Sequence, residues 1–105
     1  MQENQVIEFI TQKLEDLKVK NIVLLNVKGK SSITDYMIIS TGTSTRHVAS
    51  VAQHLIEQAK NEGIMVLGSE GRADADWIVV DFNSVIVHIM QEDSRLLYEL
   101  EKLWS

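Results

Sequence analysis

The stretch Trp77-Ile78-Val79-Val80-Asp81-Phe82-Asn83-Ser84-Val85-Ile86-Val87-His88-Ile89-Met90 decides how this chain folds. Two runs rich in β-branched residues flank Asn83-Ser84, a pair suited to a two-residue hairpin turn. That turn sets the register. Phe82 faces Val85, Val80 faces Val87 and Ile78 faces Ile89, giving one wholly apolar face that belongs in a core. The other face pairs Asp81 with Ile86, Val79 with His88 and Trp77 with Met90. Asp81 and His88 are diagonal neighbours there. An Asp beside a His can work as an acid–base pair. No Ser, Cys or Thr nucleophile is placed beside them, so the expectation is a polar pair that orients a partly buried His. Trp77 and Met90 end the face, with Trp77 either a core lid or an exposed anchor. The lid is the commoner role for a lone Trp, but Trp and Met are also favoured at protein interfaces.

Working outward, Val6, Ile7, Ile10, Leu14 and Leu17 recur at helical spacing and predict an amphipathic helix from Asn4 to Leu17. Asn21 breaks the pattern. Ile22 to Val27 and Thr34 to Thr41 read as strands, antiparallel because the turn Lys28-Gly29-Lys30-Ser31-Ser32 is so short. Ser44 is a natural N-cap for a second helix whose apolar stripe is Val48, Val51, Ala52, Leu55, Ile56 and Ala59. Gly63 stands where a C′ glycine belongs. Ile64 to Leu67 reads as a short third strand, and Gly68 to Asp76 as a polar loop. After the hairpin, Leu96, Leu97, Leu100, Leu103 and Trp104 mark a last helix with a core-facing stripe, leaving Tyr98 near its edge. Trp77, Tyr98 and Met90, off the core stripes, would make a modest docking patch. The order is αββαβββα, an α/β fold with a mixed sheet packed by helices. The expectation is a single domain over residues 1–105.

Bulk composition narrows the function. The chain carries 45% hydrophobic and 24% charged residues, no Pro and no Cys. Thiolate metal sites, disulfides and cysteine nucleophiles are excluded together. No long apolar run or signal-like start is present, so a soluble cytoplasmic protein without membrane binding is expected. The net charge is −5, and Glu70, Asp74, Asp76 and Asp81 stand against Arg72 between 70 and 81. A protein that grips phosphates carries a basic patch, so direct RNA or DNA binding is disfavoured. A basic protein surface is the better electrostatic match.

Three fragments suggest chemistry. Gly29-Lys30-Ser31 resembles the end of a P-loop, but Leu24 stands where the earlier Gly is required and a strand follows. Gly42-Thr43-Ser44 leads from a strand into a helix, where free N–H groups can bind an anion. With Asp74-Ala75-Asp76 it forms the skeleton of a Mg²⁺-dependent nucleotidyltransferase. In such enzymes the two parts lie close in sequence with the acids on the next strand; here the acids fall in a loop much later. An N-cap and two solvated acids are the commoner outcome. His47 and His54 share a helix face without an acidic ligand, which makes a poor metal site. Neither a metal, a cofactor nor a catalytic residue is expected.

Three blocks carry a family resemblance. They are Asp35-Tyr36-Met37-Ile38-Ile39-Ser40-Thr41-Gly42-Thr43-Ser44; Glu70-Gly71 followed by the two hairpin strands; and Tyr98-Glu99-Leu100-Glu101-Lys102-Leu103-Trp104. They fall in order over nearly the whole chain. The sequence resembles the ribosomal silencing factor, or Iojap-like, family, especially its proteobacterial form. The resemblance implies a nucleotidyltransferase-like fold that has lost its catalytic pattern. It implies binding to the large ribosomal subunit through that subunit's ribosomal protein number fourteen. This would block joining of the small subunit and repress translation under nutrient limitation, as in stationary phase. It also implies that two copies can form a homodimer. The family's surface maps onto Trp77, Asp81, His88, Met90 and Tyr98, with Glu70 and Asp76 nearby, as candidates for partner binding.

Overall fold

The computed structural model describes residues 2–104, with Trp104 described by its backbone alone. Helix α1 spans Glu3–Asp16 and is opened by Gln2, whose N–H donates to Gln5 Oε1 at 2.9 Å. Strand β1 (Lys20–Asn26) pairs antiparallel with β2 (Tyr36–Gly42). The pattern break at Asn21 is an irregularity inside β1: its φ is +52° and the register shifts between Lys20 and Val23. Ser44 Oγ accepts the His47 N–H at 3.0 Å and starts α2 (Thr45–Asn61) as expected. Gly63, at φ +75°, follows its C-terminus.

The sheet runs β1-β2-β5-β4-β3, with β3 at Gly68–Glu70, β4 at Trp77–Asp81 and β5 at Val85–Gln91. Strands β2 and β5 lie side by side in parallel, a pairing that needs a crossover such as the one α2 provides. The hairpin register is the expected one throughout, from Trp77 opposite Met90 to Asp81 opposite Ile86. Asn83 takes the left-handed φ of +78° at its turn.

Helices α1 and α2 cover one sheet face, where Ile10, Leu14, Val51 and Leu55 meet Ile38, Ile78, Val80, Val87 and Ile89. The opposite face holds a smaller cluster of Val27, Met37, Ile39, Met90 and Leu100, with Leu25 and Trp77 packed at its margin. Strand β2 is therefore buried on both sides, which is why its sequence does not alternate.

Two elements depart from expectation. The third strand is not Ile64–Leu67. The Ile64 N–H still bonds to Ala59 O of α2, and sheet pairing starts at Gly68, opposite Asp81. Upstream of Gly68 a single bond continues the pairing, from the Leu67 N–H to Asp81 O at 2.8 Å; beyond Asp81 the neighbouring strand turns into the Asn83 hairpin, so the apolar run 64–66 has no ladder to join. The last helix is two helices, α3 (Glu92–Tyr98) and α4 (Leu100–Trp104), divided by Glu99 at φ +47°. Of the expected core stripe only Leu100 is buried. Leu96, Leu97 and Leu103 are 68%, 74% and 70% exposed, and the Trp104 side chain lies outside the described residues.

Candidate functional site

Loop 71–76 sets Trp77 at the start of β4. The Ala75 N–H closes on Gly71 O at 3.0 Å, and Asp76 is fastened to the end of β5 twice. Its carbonyl accepts the Gln91 N–H at 2.9 Å, and its Oδ1 accepts Gln91 Nε2 at 2.6 Å. Gly71 sits at φ +87°, and a Cβ there would lie 2.1 Å from Trp77 O. Only glycine allows the loop to press this closely on the strand.

The indole of Trp77 is half-buried and donates its Nε1–H to His88 Nδ1 at 2.9 Å. The Tyr98 ring also packs on it, with the ring centroids 4.7 Å apart and the planes tilted by 44°. Because an indole N–H can only donate, Nδ1 must be the unprotonated nitrogen and the imidazole proton sits on Nε2. His88 is 8% exposed, and its Nε2 has no hydrogen-bond partner among the described residues. Burial pushes the ring's pKa down from 6.5 to about 4, so it is neutral near pH 7.

The candidates separate by depth. Tyr98 is exposed, Trp77 and Asp81 are half-buried, and Met90 and His88 are buried beneath them. Glu70 and Asp76 are exposed at the rim, with Glu70 opposite Val79. The expected Asp81–His88 pair does not form: Asp81 Oδ1 accepts the Asn83 N–H at 2.8 Å and closes the hairpin turn, while His88 turns to Trp77. Met90 underlies the site and presents no surface of its own.

Arg95 went unnoticed in the sequence. It is 9% exposed and is the inward residue of α3. Its Nη1 donates to Asn21 O and, at 2.8 Å, to Thr41 Oγ1, while Nε reaches Glu101 at 3.4 Å. This tie fixes α3 to β1 and β2 with its leucines outward. Leu96, Leu97 and Tyr98 are therefore exposed on α3, with Tyr98 against Trp77, Glu92 and Asp93 on the same helix and Glu99 just after it. A cation in a helix ordinarily reads as solvated, so the pattern alone gave no signal.

The nucleotidyltransferase fragments lie nearer in space than in sequence. Gly42 pairs with Gln91, which holds Asp76, so both reach the same end of the sheet with β5 between them. Ser44 Oγ is occupied by the α2 cap, Asp76 by Gln91, and Asp74 is exposed. Among the described residues no three His, Asp or Glu side chains converge in the manner of a metal site. His47 bridges the helices instead: Nε2 bonds to Leu17 O at 2.8 Å, and Nδ1 accepts the Thr43 N–H at 3.0 Å. His54 is exposed, and Glu57 bonds to Gln53, not to His54. No described helix is long and apolar enough to cross a membrane.

Known proteins resemble this chain over most or all of its length. A family model described as ribosomal silencing factor during starvation matches residues 1–105. The chain is similar to a ribosomal silencing factor of Haemophilus influenzae, with 53% identity over 100 residues that cover 95% of this chain and 98% of that one. A mouse protein named mitochondrial assembly of ribosomal large subunit protein 1 is 33% identical over 94% of this chain and 45% of its own. A crystal structure of a Chromobacterium violaceum protein superposes with a TM-score of 0.95 at 34% identity, covering 99% of this chain and 87% of that one.

Proposed function

We propose a function for this chain from the premise its family sets: it belongs to the ribosomal silencing factor family. The chain docks on the large ribosomal subunit through ribosomal protein number fourteen. Seated there, it blocks joining of the small subunit and represses translation when nutrients are scarce. The action is steric. A small single domain, residues 1–105, standing between two subunit surfaces needs no catalytic step, no metal and no cofactor, and it works in the cytoplasm.

The observation that carries this reading is the surface built by Trp77 and α3. Tyr98 is exposed against a half-buried Trp77, Leu96 and Leu97 are exposed on the same helix as Tyr98, and Glu70, Asp74, Asp76, Glu92, Asp93 and Glu99 are exposed on the flanking segments. An apolar centre with an aromatic anchor is the pattern of a protein-binding patch. Its acidic surroundings, on a chain of net charge −5, suit a partner whose rim is basic. Asp81, His88 and Met90 support that surface from below. Two copies meeting through the same leucines in a homodimer would compete with docking.

The test is gradient sedimentation with purified subunits. The protein should travel with free large subunits and reduce the joined-ribosome peak when added before the small subunit. Protein found only in ribosome-free fractions at physiological salt would overturn the reading. The alternative, a small Mg²⁺-dependent nucleotidyltransferase, draws on the approach of Gly42 and Asp76 to one end of the sheet. Saturable Mg²⁺-dependent nucleotide binding that is lost in Asp74→Asn would favour it.

A further inference from the structure

We propose that His88 never meets the docking partner and serves as a positioning residue, acting on docking through Trp77 alone. The inference rests on the docking function proposed above.

Depth is the first ground. His88 is 8% exposed and its Nε2 is buried, so neither ring nitrogen is presented to a partner. The second ground is the pattern of bonds. The single hydrogen bond made by the ring is the one Nδ1 accepts from the Trp77 indole at 2.9 Å, and the Nε2–H meets no acceptor among the described residues. A buried donor without an acceptor destabilises a fold. For packing alone an apolar ring would serve this position better. What an imidazole adds is one acceptor, aimed at one indole N–H.

That acceptor has a consequence at the surface. Trp77 begins a strand and is half-buried, with Tyr98 against one side at 4.7 Å. Without His88 Nδ1 its N–H would have to seek water, and the ring would turn with it. With it, the indole holds one orientation before any partner arrives. An aromatic fixed in its bound orientation gives up less entropy on association. Asp81, the other polar group on this face, does not compete for the imidazole, because its Oδ1 is engaged by the Asn83 N–H.

The experiment is a double-mutant cycle on binding to purified large subunits, read beside the Trp77 indole N–H resonance and its solvent exchange in the free full-length protein. Asn in place of His88 sets a carbonyl oxygen near the Nδ1 position and has nothing at Nε2. Gln sets its amide near Nε2 and leaves the Nδ1 position empty. We expect His88→Gln and His88→Phe to weaken binding about tenfold, on the scale of a lost anchor orientation, and to speed indole exchange. His88→Asn should keep slow exchange and bind within about threefold of wild type, less than one hydrogen bond's worth. In a Trp77→Ala background the His88 variants should change nothing further, since coupled residues are not additive. If His88→Phe fails to fold, the Asn and Gln variants carry the cycle. Further loss on adding His88→Gln to Trp77→Ala, or weakened binding by His88→Asn with the indole bond intact, would show direct contact and overturn the inference. Wild-type protein that does not bind large subunits would overturn the docking function and this inference with it. That outcome is distinct from full binding without Trp77–His88 coupling.

Discussion

The Trp77 indole donates to His88 Nδ1 across 2.9 Å, joining the first residue of β4 to a buried residue of β5. The bond requires a neutral imidazole, because a protonated ring would face the indole N–H with a second donor. Burial keeps the ring neutral by lowering its pKa from 6.5 to about 4.

The same burial makes stability depend on pH. The folded pKa lies below the unfolded one, so the folded protein binds fewer protons between them. The contribution is fully present above about pH 6.5 and is lost as pH falls through about 4, amounting to about 3 kcal/mol in all. Urea midpoints measured from pH 7 to pH 4 should fall more steeply for wild type than for His88→Asn. Parallel curves would show that His88 does not titrate in this way.

Gly71→Ala should displace Trp77. The added Cβ would lie 2.1 Å from Trp77 O at a φ of +87°, and neither the strand nor the backbone angle yields easily. The expected loss is about 2 kcal/mol or more, seen in denaturant midpoints together with a shifted Trp77 indole resonance. Gly68 is the control: a Cβ added there would meet nothing within 4 Å, and its φ is not positive. Gly68→Ala should stay within about 0.5 kcal/mol.

Arg95→Leu should loosen α3. It removes the donors to Asn21 O and to the buried Thr41 Oγ1, leaving the latter without this partner, at about 1–3 kcal/mol. Arg95→Lys should recover only part of this, because an ammonium lacks the planar fork. Hydrogen exchange of α3 amides would report the loosening directly; exchange unchanged from wild type would remove Arg95 as the clamp.

Leu96→Glu and Leu97→Asp should separate surface from core. Both side chains are exposed, so stability should change by no more than about 0.5 kcal/mol while binding to large subunits falls sharply. Leu100→Ala should do the reverse, costing about 2–5 kcal/mol of stability because that leucine fills the second cluster. Thermal melts and sedimentation on the same preparations measure both arms.

The sequence determined the Trp77–Met90 hairpin by itself, down to its register, because a two-residue turn and a period of two are local constraints. It determined α1 and α2, the Ser44 cap and the antiparallel β1–β2 pair for the same reason. The third strand and the last helix needed the tertiary structure. Residues 64–67 are a short apolar run that suits a strand, but beyond the Leu67 N–H bond to Asp81 O they have no neighbouring ladder, since β4 ends at Asp81. In residues 92–104 the leucine spacing suggested a buried stripe, and the fold turned it outward. Arg95 finds its acceptors at Asn21 and Thr41, residues far away in the chain, and their convergence decides which side of α3 faces in. Trp77 follows the same logic. Its place on the second hairpin face was written in the alternation, but its bond to His88 and its contact with Tyr98 exist only where β4, β5 and α3 meet.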